Sequence, residues 1–187
     1  MIGREICPRC GVDDDVTFEP GEADAPVFVC SSSRHEDPFE WPARDDDLAT
    51  ALAGRVGFAE ELNLYEYLMT LFDPSQPLVE YGVVEHRFAA AFPTEYRAVI
   101  DRYGHTHFGP KRYTASAFLA KVLWALHHEG ALAVEWVPAT GRWSYNSRVS
   151  GWALPRAGGV PAKDVLSWEA FARQHDIDPD TWPALEN

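Results

Sequence analysis

The sequence lacks any apolar run long enough to cross a lipid bilayer, which takes about 20 residues. Its start, Met1-Ile-Gly-Arg-Glu5, also lacks the apolar segment of a secretory signal. Hydrophobic residues make up 46% of the 187 positions, which is enough to bury a core and excludes a largely disordered chain. We therefore expect a soluble, cytoplasmic protein without membrane association.

The signature motifs of common enzyme classes are also missing. The chain has no Ser nucleophile elbow, no phosphate-binding Walker loop and no dinucleotide-binding glycine fingerprint in a strand–helix context. No other grouping of nucleophile, acid and base stands out. We therefore expect a protein that binds rather than catalyses, with no catalytic residues.

Cysteine is scarce, and its three positions are informative. Cys7, Cys10 and Cys30 all lie in the first sixth of the chain, and an odd number so placed argues against a disulfide framework. Cys7 and Cys10 form a C-x2-C pair, and Cys30 is followed by His35. Tetrahedral zinc takes four such ligands, and a C-x2-C turn holds two of them at one edge. The spacing predicts one zinc ion held by these four residues.

The identity of the fourth zinc ligand stays open, because Asp37 or water could replace His35. Four protein ligands leave no position for a substrate, so the expected role of the zinc is structural. The run Cys7-Pro-Arg-Cys10-Gly11 resembles the knuckle of zinc ribbons, in which glycine eases the tight backbone after the second cysteine. The resemblance covers about 35 residues, and it departs from the common pattern because a second C-x2-C is absent.

Positive charge is scarce as well, and the net charge of -13 argues at first sight against nucleic acid. The deficit is uneven along the chain. Residues 105–163 carry seven Lys and Arg against two Asp and Glu, whereas the stretches on both sides are acidic. A basic stretch between acidic flanks is typical of a local binding face.

Helical and alternating patterns follow one another through the middle of the chain. Apolar spacing predicts helices over Phe58–Phe72, around Val83–Ala91, over Thr94–Tyr103 and over Thr114–Glu129. The period then changes to alternation, which predicts a β-hairpin of Ala131–Val137 and Arg142–Asn146, with Val149–Leu154 as its extended continuation. A last short helix is expected over Asp164–His175.

This order of elements resembles the winged helix-turn-helix superfamily over about residues 60–154. In that family, the helix matching Thr114–Glu129 enters the major groove, and the hairpin contacts the backbone or the minor groove. The resemblance implies a DNA-binding regulator, or an accessory subunit of a bacterial DNA-processing or defence system. The donors it places near DNA are Lys111, Arg112, Thr114, Ser116, Lys121 and Arg142.

A protein-interaction adaptor is the alternative function. Trp124 falls on the face of the Thr114–Glu129 helix opposite the apolar stripe, together with Ala117, Lys121 and His128. An exposed Trp124 would be a partner-binding anchor, unless the C-terminal helix covers it. The acidic zinc module would supply the second docking surface.

We expect an α+β fold in three consecutive parts. These are a zinc-ribbon-like module and linker over residues 1–44, a winged-helix domain over 45–163, and a C-terminal helix with an acidic tail over 164–187. DNA is the expected partner. Because the basic footprint is small, a protein partner or a second copy of the chain could complete it.

Overall fold

The computed structural model describes residues 5–20, 26–43, 57–105, 113–141, 146–156 and 164–181. The chain divides into two compact units, one comprising Met1–Tyr65 and Val99–Ala125, the other Glu66–Ala98 and Leu126–Asn187. The described residues form two sheets and six helices, which agrees with the expected α+β class. The division into three consecutive domains remains a prediction.

The elements are numbered along the described chain. The helices are α1 (Phe58–Glu61), α2 (Leu64–Met69), α3 (Tyr81–Ala91), α4 (Pro93–Tyr103), α5 (Ala115–His128) and α6 (Trp168–Gln174). The strands are β1 (Val16–Pro20), β2 (Pro26–Cys30), β3 (Phe39–Pro42), β4 (Leu78–Glu80), β5 (Ala133–Pro138), β6 (Arg148–Ala153) and β7 (Val165–Leu166). None of the helices described here is long and apolar enough to cross a membrane.

The first unit contains an antiparallel sheet in the order β1-β2-β3. Side chains alternate between its two faces, and the register places Phe18, Phe28 and Trp41 side by side across the three strands. The rings of neighbouring strands lie 5.6 and 5.8 Å apart. This aromatic row runs from buried Trp41 to Phe18, which is 66% exposed.

Aromatic side chains also pack the helical part of the first unit. The Tyr103 and Phe118 rings lie 4.6 Å apart, and Phe58 contacts both. The guanidinium group of Arg102 stacks over Phe58 at 4.4 Å. These contacts join α1, the end of α4 and the start of α5 into one core.

The second unit contains a sheet in the order β5-β6-β4-β7. β6 pairs antiparallel with both β5 and β4, whereas β7 runs parallel to β4. The predicted second strand of the hairpin was Arg142–Asn146, whereas the described strand that pairs with β5 is β6. The predicted continuation, Val149–Leu154, supplies most of that partner, and Arg142–Tyr145 lie outside the described residues.

The predicted helix over Phe58–Phe72 is also corrected, since it breaks into α1 and α2 at Asn63. Asn63 adopts a left-handed backbone with φ 53°, a conformation that asparagine tolerates better than most residues. The helices α3, α4 and α5 match their predicted positions within a residue or two. The last helix, α6, is shorter than predicted because β7 precedes it, and the Ser167 side chain caps its start.

A buried carboxylate organises the second unit. Glu80, at the end of β4, is fully buried and accepts hydrogen bonds from the backbone N–H and the hydroxyl of Thr140, at 2.9 and 2.7 Å. It also accepts one from the backbone N–H of Trp168 at 2.7 Å. A buried charge needs this many donors to offset its lost hydration. Glu80 thus links the sheet to the start of α6.

Candidate metal centre

The first knuckle is a tight turn that presents Cys7 and Cys10. The Cys7 N–H donates to the Val12 carbonyl at 2.9 Å, and the Gly11 N–H donates to the Cys7 carbonyl at 2.8 Å. Gly11 adopts φ 72°, in the left-handed region that suits glycine. The glycine expected to ease this turn does so.

The second knuckle follows strand β2, which ends at Cys30. The Ser31 N–H donates to the Asp15 carbonyl at 3.0 Å, and the His35 N–H donates to the Ser32 carbonyl at 3.1 Å, so that the chain turns back after the strand. Arg34 reaches across to donate to the Cys10 carbonyl at 3.1 Å. The two knuckles are therefore held together by the protein's own contacts.

The four residues of the two knuckles form a compact cluster. Their ligand atoms all lie within 4.8 Å of one another, with Cys10 Sγ and Cys30 Sγ 3.7 Å apart and Cys7 Sγ and His35 Nε2 3.5 Å apart. The three cysteines are buried and His35 is half-buried. The cluster could hold a metal ion, and its fourth member is His35 rather than Asp37.

The thiols of the cluster differ in acidity. The hydrogen bond with the Cys7 side chain, assisted by His35, lowers the pKa of Cys10 to about 4. Burial raises the pKa of Cys7 and of Cys30. Since metals bind thiolates, a metal entering the cluster would displace the protons of these two cysteines.

The segment that carries the cluster packs against helix α5. A Cβ atom placed on Gly11 would lie 2.3 Å from the ring of Trp124, so the knuckle backbone rests directly on that side chain. The carboxylate of Glu5 pairs with the ammonium group of Lys121, and it also accepts a hydrogen bond from Trp41 at 3.2 Å. The Lys121 and Glu5 side chains are 5% and 13% exposed.

Trp124 is therefore not the exposed side chain expected from the sequence, since it is only 4% exposed. The face of α5 that holds Trp124 includes the charged Lys121, and this charge can be buried because the covering segment supplies the carboxylate of Glu5. Part of that cover comes from the segment that holds Glu5 and Gly11. The partner-binding role proposed for Trp124 loses its physical basis.

The six predicted DNA-binding residues fall into two groups. Thr114, Ser116 and Lys121 are buried, with at most 9% exposure. Lys111, Arg112 and Arg142 lie outside the described residues. The expectation that the start of α5 offers free donors to base edges is wrong for the three residues that the structure describes.

Sequence reasoning missed two structural carboxylates. Glu5 had no spacing signal, because its partner Lys121 lies more than a hundred positions away. Glu80 had a weak sequence signal, since it is an acidic residue within the apolar run Leu78-Val-Glu-Tyr.

Comparison of the chain with protein-family models, with curated proteins and with solved structures found no match.

Proposed function

We propose that the cluster of Cys7, Cys10, Cys30 and His35 holds one structural zinc ion. With zinc–sulfur bonds of about 2.3 Å, the edge of a tetrahedral site measures about 3.8 Å. The 3.7 Å between Cys10 Sγ and Cys30 Sγ supports this geometry. Three thiolates and an imidazole are the ligand set that zinc prefers, and four protein ligands favour a structural over a catalytic ion.

Metal analysis of matched variants tests the zinc proposal. The purified protein is expected to contain one zinc per chain, His35→Ala to lose most of it, and Asp37→Ala to keep it. Cobalt substitution should give the visible spectrum of a tetrahedral thiolate site in the wild type. Zinc well below one equivalent, with all three thiols freely titratable, would refute the proposal.

We further propose that the chain is a non-enzymatic DNA-binding protein of the winged-helix type. One observation carries this proposal, namely that α5 leads directly into the antiparallel pair of β5 and β6, the helix-then-wing order of that superfamily. The basic excess of residues 105–163 adds support. A role as a regulator, or as an accessory subunit of a DNA-processing or defence system, fits a protein of this kind.

The burial along α5 changes the expected mode of DNA binding. Of the residues from Ala115 to Leu126, none is exposed, so base recognition by this helix is not part of the proposal. The remaining sequence candidates are Lys111 and Arg112 before α5, and Arg142 between β5 and β6. We propose that they neutralise phosphates, which gives weak binding with little sequence preference.

Gel retardation of a mixed-sequence duplex at ~50 mM salt, where non-specific contacts are strong, tests this proposal. Arg112→Glu and Arg142→Glu should each weaken binding, because each reverses a phosphate contact. Arg173→Glu is the control, since Arg173 is an exposed cation outside the basic stretch. Three phosphate contacts predict that log K falls with log salt at a slope of about -3. If the wild type retards neither duplex nor single strand, the chain is not a DNA-binding protein.

A further inference from the structure

Strand β1 forms an edge of the first sheet that the described residues leave open. The sheet order is β1-β2-β3, and no described strand pairs with the outer side of β1. Four of its five residues, Thr17 to Pro20, are exposed. An edge strand of this kind can pair with an added strand from another chain.

The register shows which backbone groups face outward. The Ser31 N–H donates to the Asp15 carbonyl, so the backbone groups of residues 15, 17 and 19 point towards β2. Those of Val16 and Phe18 consequently point to the open edge. Pro20 ends this edge, because proline has no N–H to offer a longer partner strand.

The side chain of Phe18 lies beside these outward groups. Phe18 is the one large hydrophobic side chain of the described chain that is exposed, at 66%. It ends the aromatic row of Phe28 and Trp41, whose innermost ring is fully buried. An apolar side chain on an added strand, placed opposite Phe18, would extend this row and cover its exposed ring.

The negative charge around the β1 edge favours a basic partner. We call residues 5–20 and 26–43 the β-module, and it carries eight Asp and Glu against Arg9 and Arg34. Both cations are engaged, Arg9 over the ring of Phe39 and Arg34 with the Cys10 carbonyl. Pairing of two β1 edges would bring these like charges together, which disfavours a second copy of the chain.

We propose that the β1 edge is a docking site for an extended, basic segment of a partner protein. The segment adds a fourth strand to the sheet, with an apolar side chain beside Phe18 and Lys or Arg on either side of it. These flanking positions lie on the opposite face, where Thr17 and Glu19 are exposed. The site goes beyond the proposed DNA binding and does not depend on it.

A labelled peptide of alternating Lys and Val is the probe for this site, titrated by anisotropy into the full-length protein at ~0.15 M ionic strength, where long-range attraction is screened. Phe18→Ala should weaken binding at least about tenfold, as expected for a central aromatic anchor. Glu19→Lys should weaken it more than Glu60→Lys, which makes the same charge change on α1. Each variant must keep the metal content of the wild type.

Backbone pairing is tested with proline on either side of the contact. Val16→Pro removes an N–H that points outward, and it leaves the hydrogen bonds between β1 and β2 intact. It should therefore weaken peptide binding without loss of metal. A peptide with proline at its centre should bind about as poorly to the unchanged protein. If both prolines and Phe18→Ala leave affinity unchanged, the attraction is only electrostatic and the proposal is wrong. Dimerisation of the wild type that Phe18→Ala abolishes would overturn the choice of partner.

Discussion

Gly11 is the residue at which the metal knuckle and helix α5 meet. It combines a left-handed backbone with an approach to Trp124 that leaves no room for a methyl group. The sequence signalled the first property through the position of glycine after Cys10. The second could not be predicted, because the ring comes from a helix more than a hundred residues later.

A pair of glycine substitutions separates these two properties of Gly11. Gly11 and Gly130 both have φ above 70°, so alanine costs about 1 to 2 kcal/mol of backbone strain at either site. Only at Gly11 does the new Cβ strike a side chain, which adds about 1 to 3 kcal/mol of overpacking. Urea unfolding should therefore show Gly11→Ala to be the more destabilised variant. Equal losses would mean that the Trp124 contact is not close in solution.

His86 on α3 is a second residue whose environment has a measurable consequence. Its ring lies 5.7 Å from that of Trp168 and 5.4 Å from that of Phe171. Burial, together with the nearby His175, lowers the pKa of His86 below its usual value. Near the ordinary histidine pKa of about 6.5, the unfolded chain therefore binds a proton at His86 that the folded chain does not bind. The free energy of unfolding consequently falls as the pH drops through this value.

Replacing His86 by phenylalanine should remove this pH dependence. The urea midpoint of the wild type is expected to fall more than that of His86→Phe when the pH drops from ~7.5 to ~5.5, a range that spans the ordinary histidine pKa. Any effect of acid on the metal site is common to both proteins and cancels in the comparison. Parallel curves for the two proteins would show that His86 does not contribute.

At the scale of helices and strands, local sequence signals were sufficient to predict elements that form within one short segment. Helix α5 begins after Thr114 and ends before the glycine at position 130, as capping rules predict. Strand pairing was less predictable, because it joins distant segments. The turn signal at Pro138–Gly141 predicted a second strand from Arg142, whereas the described strand that pairs with β5 begins at Arg148.

The candidate metal site shows the same distinction. The cluster of Cys7, Cys10, Cys30 and His35 was predictable because each knuckle is a short motif with its own spacing. The burial of α5 on its polar face was not, since Lys121 and Trp124 look solvent-exposed in any helical projection. Their cover is the Glu5–Gly11 segment, and no local pattern in the sequence connects the two.

The ion pair between Glu5 and Lys121 predicts strong coupling between the β-module and α5. Removing one partner leaves a largely buried charge, which costs about 3 to 5 kcal/mol, so Glu5→Gln and Lys121→Met should each destabilise the protein clearly. The double variant buries no lone charge and should be less unstable than the two losses added together. Chemical denaturation of the four proteins measures this coupling energy. Additive losses would show that the pair does not form.

At the scale of the whole molecule, the balance of charge differs from what the sequence suggests. Lys121 belongs to the basic stretch of residues 105–163, but Glu5 neutralises it. The positive charge left for a phosphate partner is smaller than the composition indicates. The β-module, in contrast, stays strongly acidic, because it carries eight Asp and Glu against Arg9 and Arg34.

Removal of the proposed zinc tests how far the β-module depends on it for folding. The β-module is small, and three of its most buried side chains are the cysteines of the cluster. Metal binding in such a module supplies most of its folding free energy, so a chelator should unfold it. Trp124 and Lys121 would then lose their cover. Hydrogen exchange should accelerate in the β-module and in the middle turns of α5, around Lys121 and Trp124.

The sheet of β4 to β7 serves as the internal control in this experiment. It holds no residue of the cluster, and Glu80 ties it to α6 through hydrogen bonds that do not involve the metal. We expect its exchange rates to stay close to those of the metal-loaded protein, and added zinc to restore protection of the β-module. Uniform acceleration along the chain would mean that the metal stabilises the whole fold. No acceleration anywhere would mean that the β-module folds on its hydrophobic core alone.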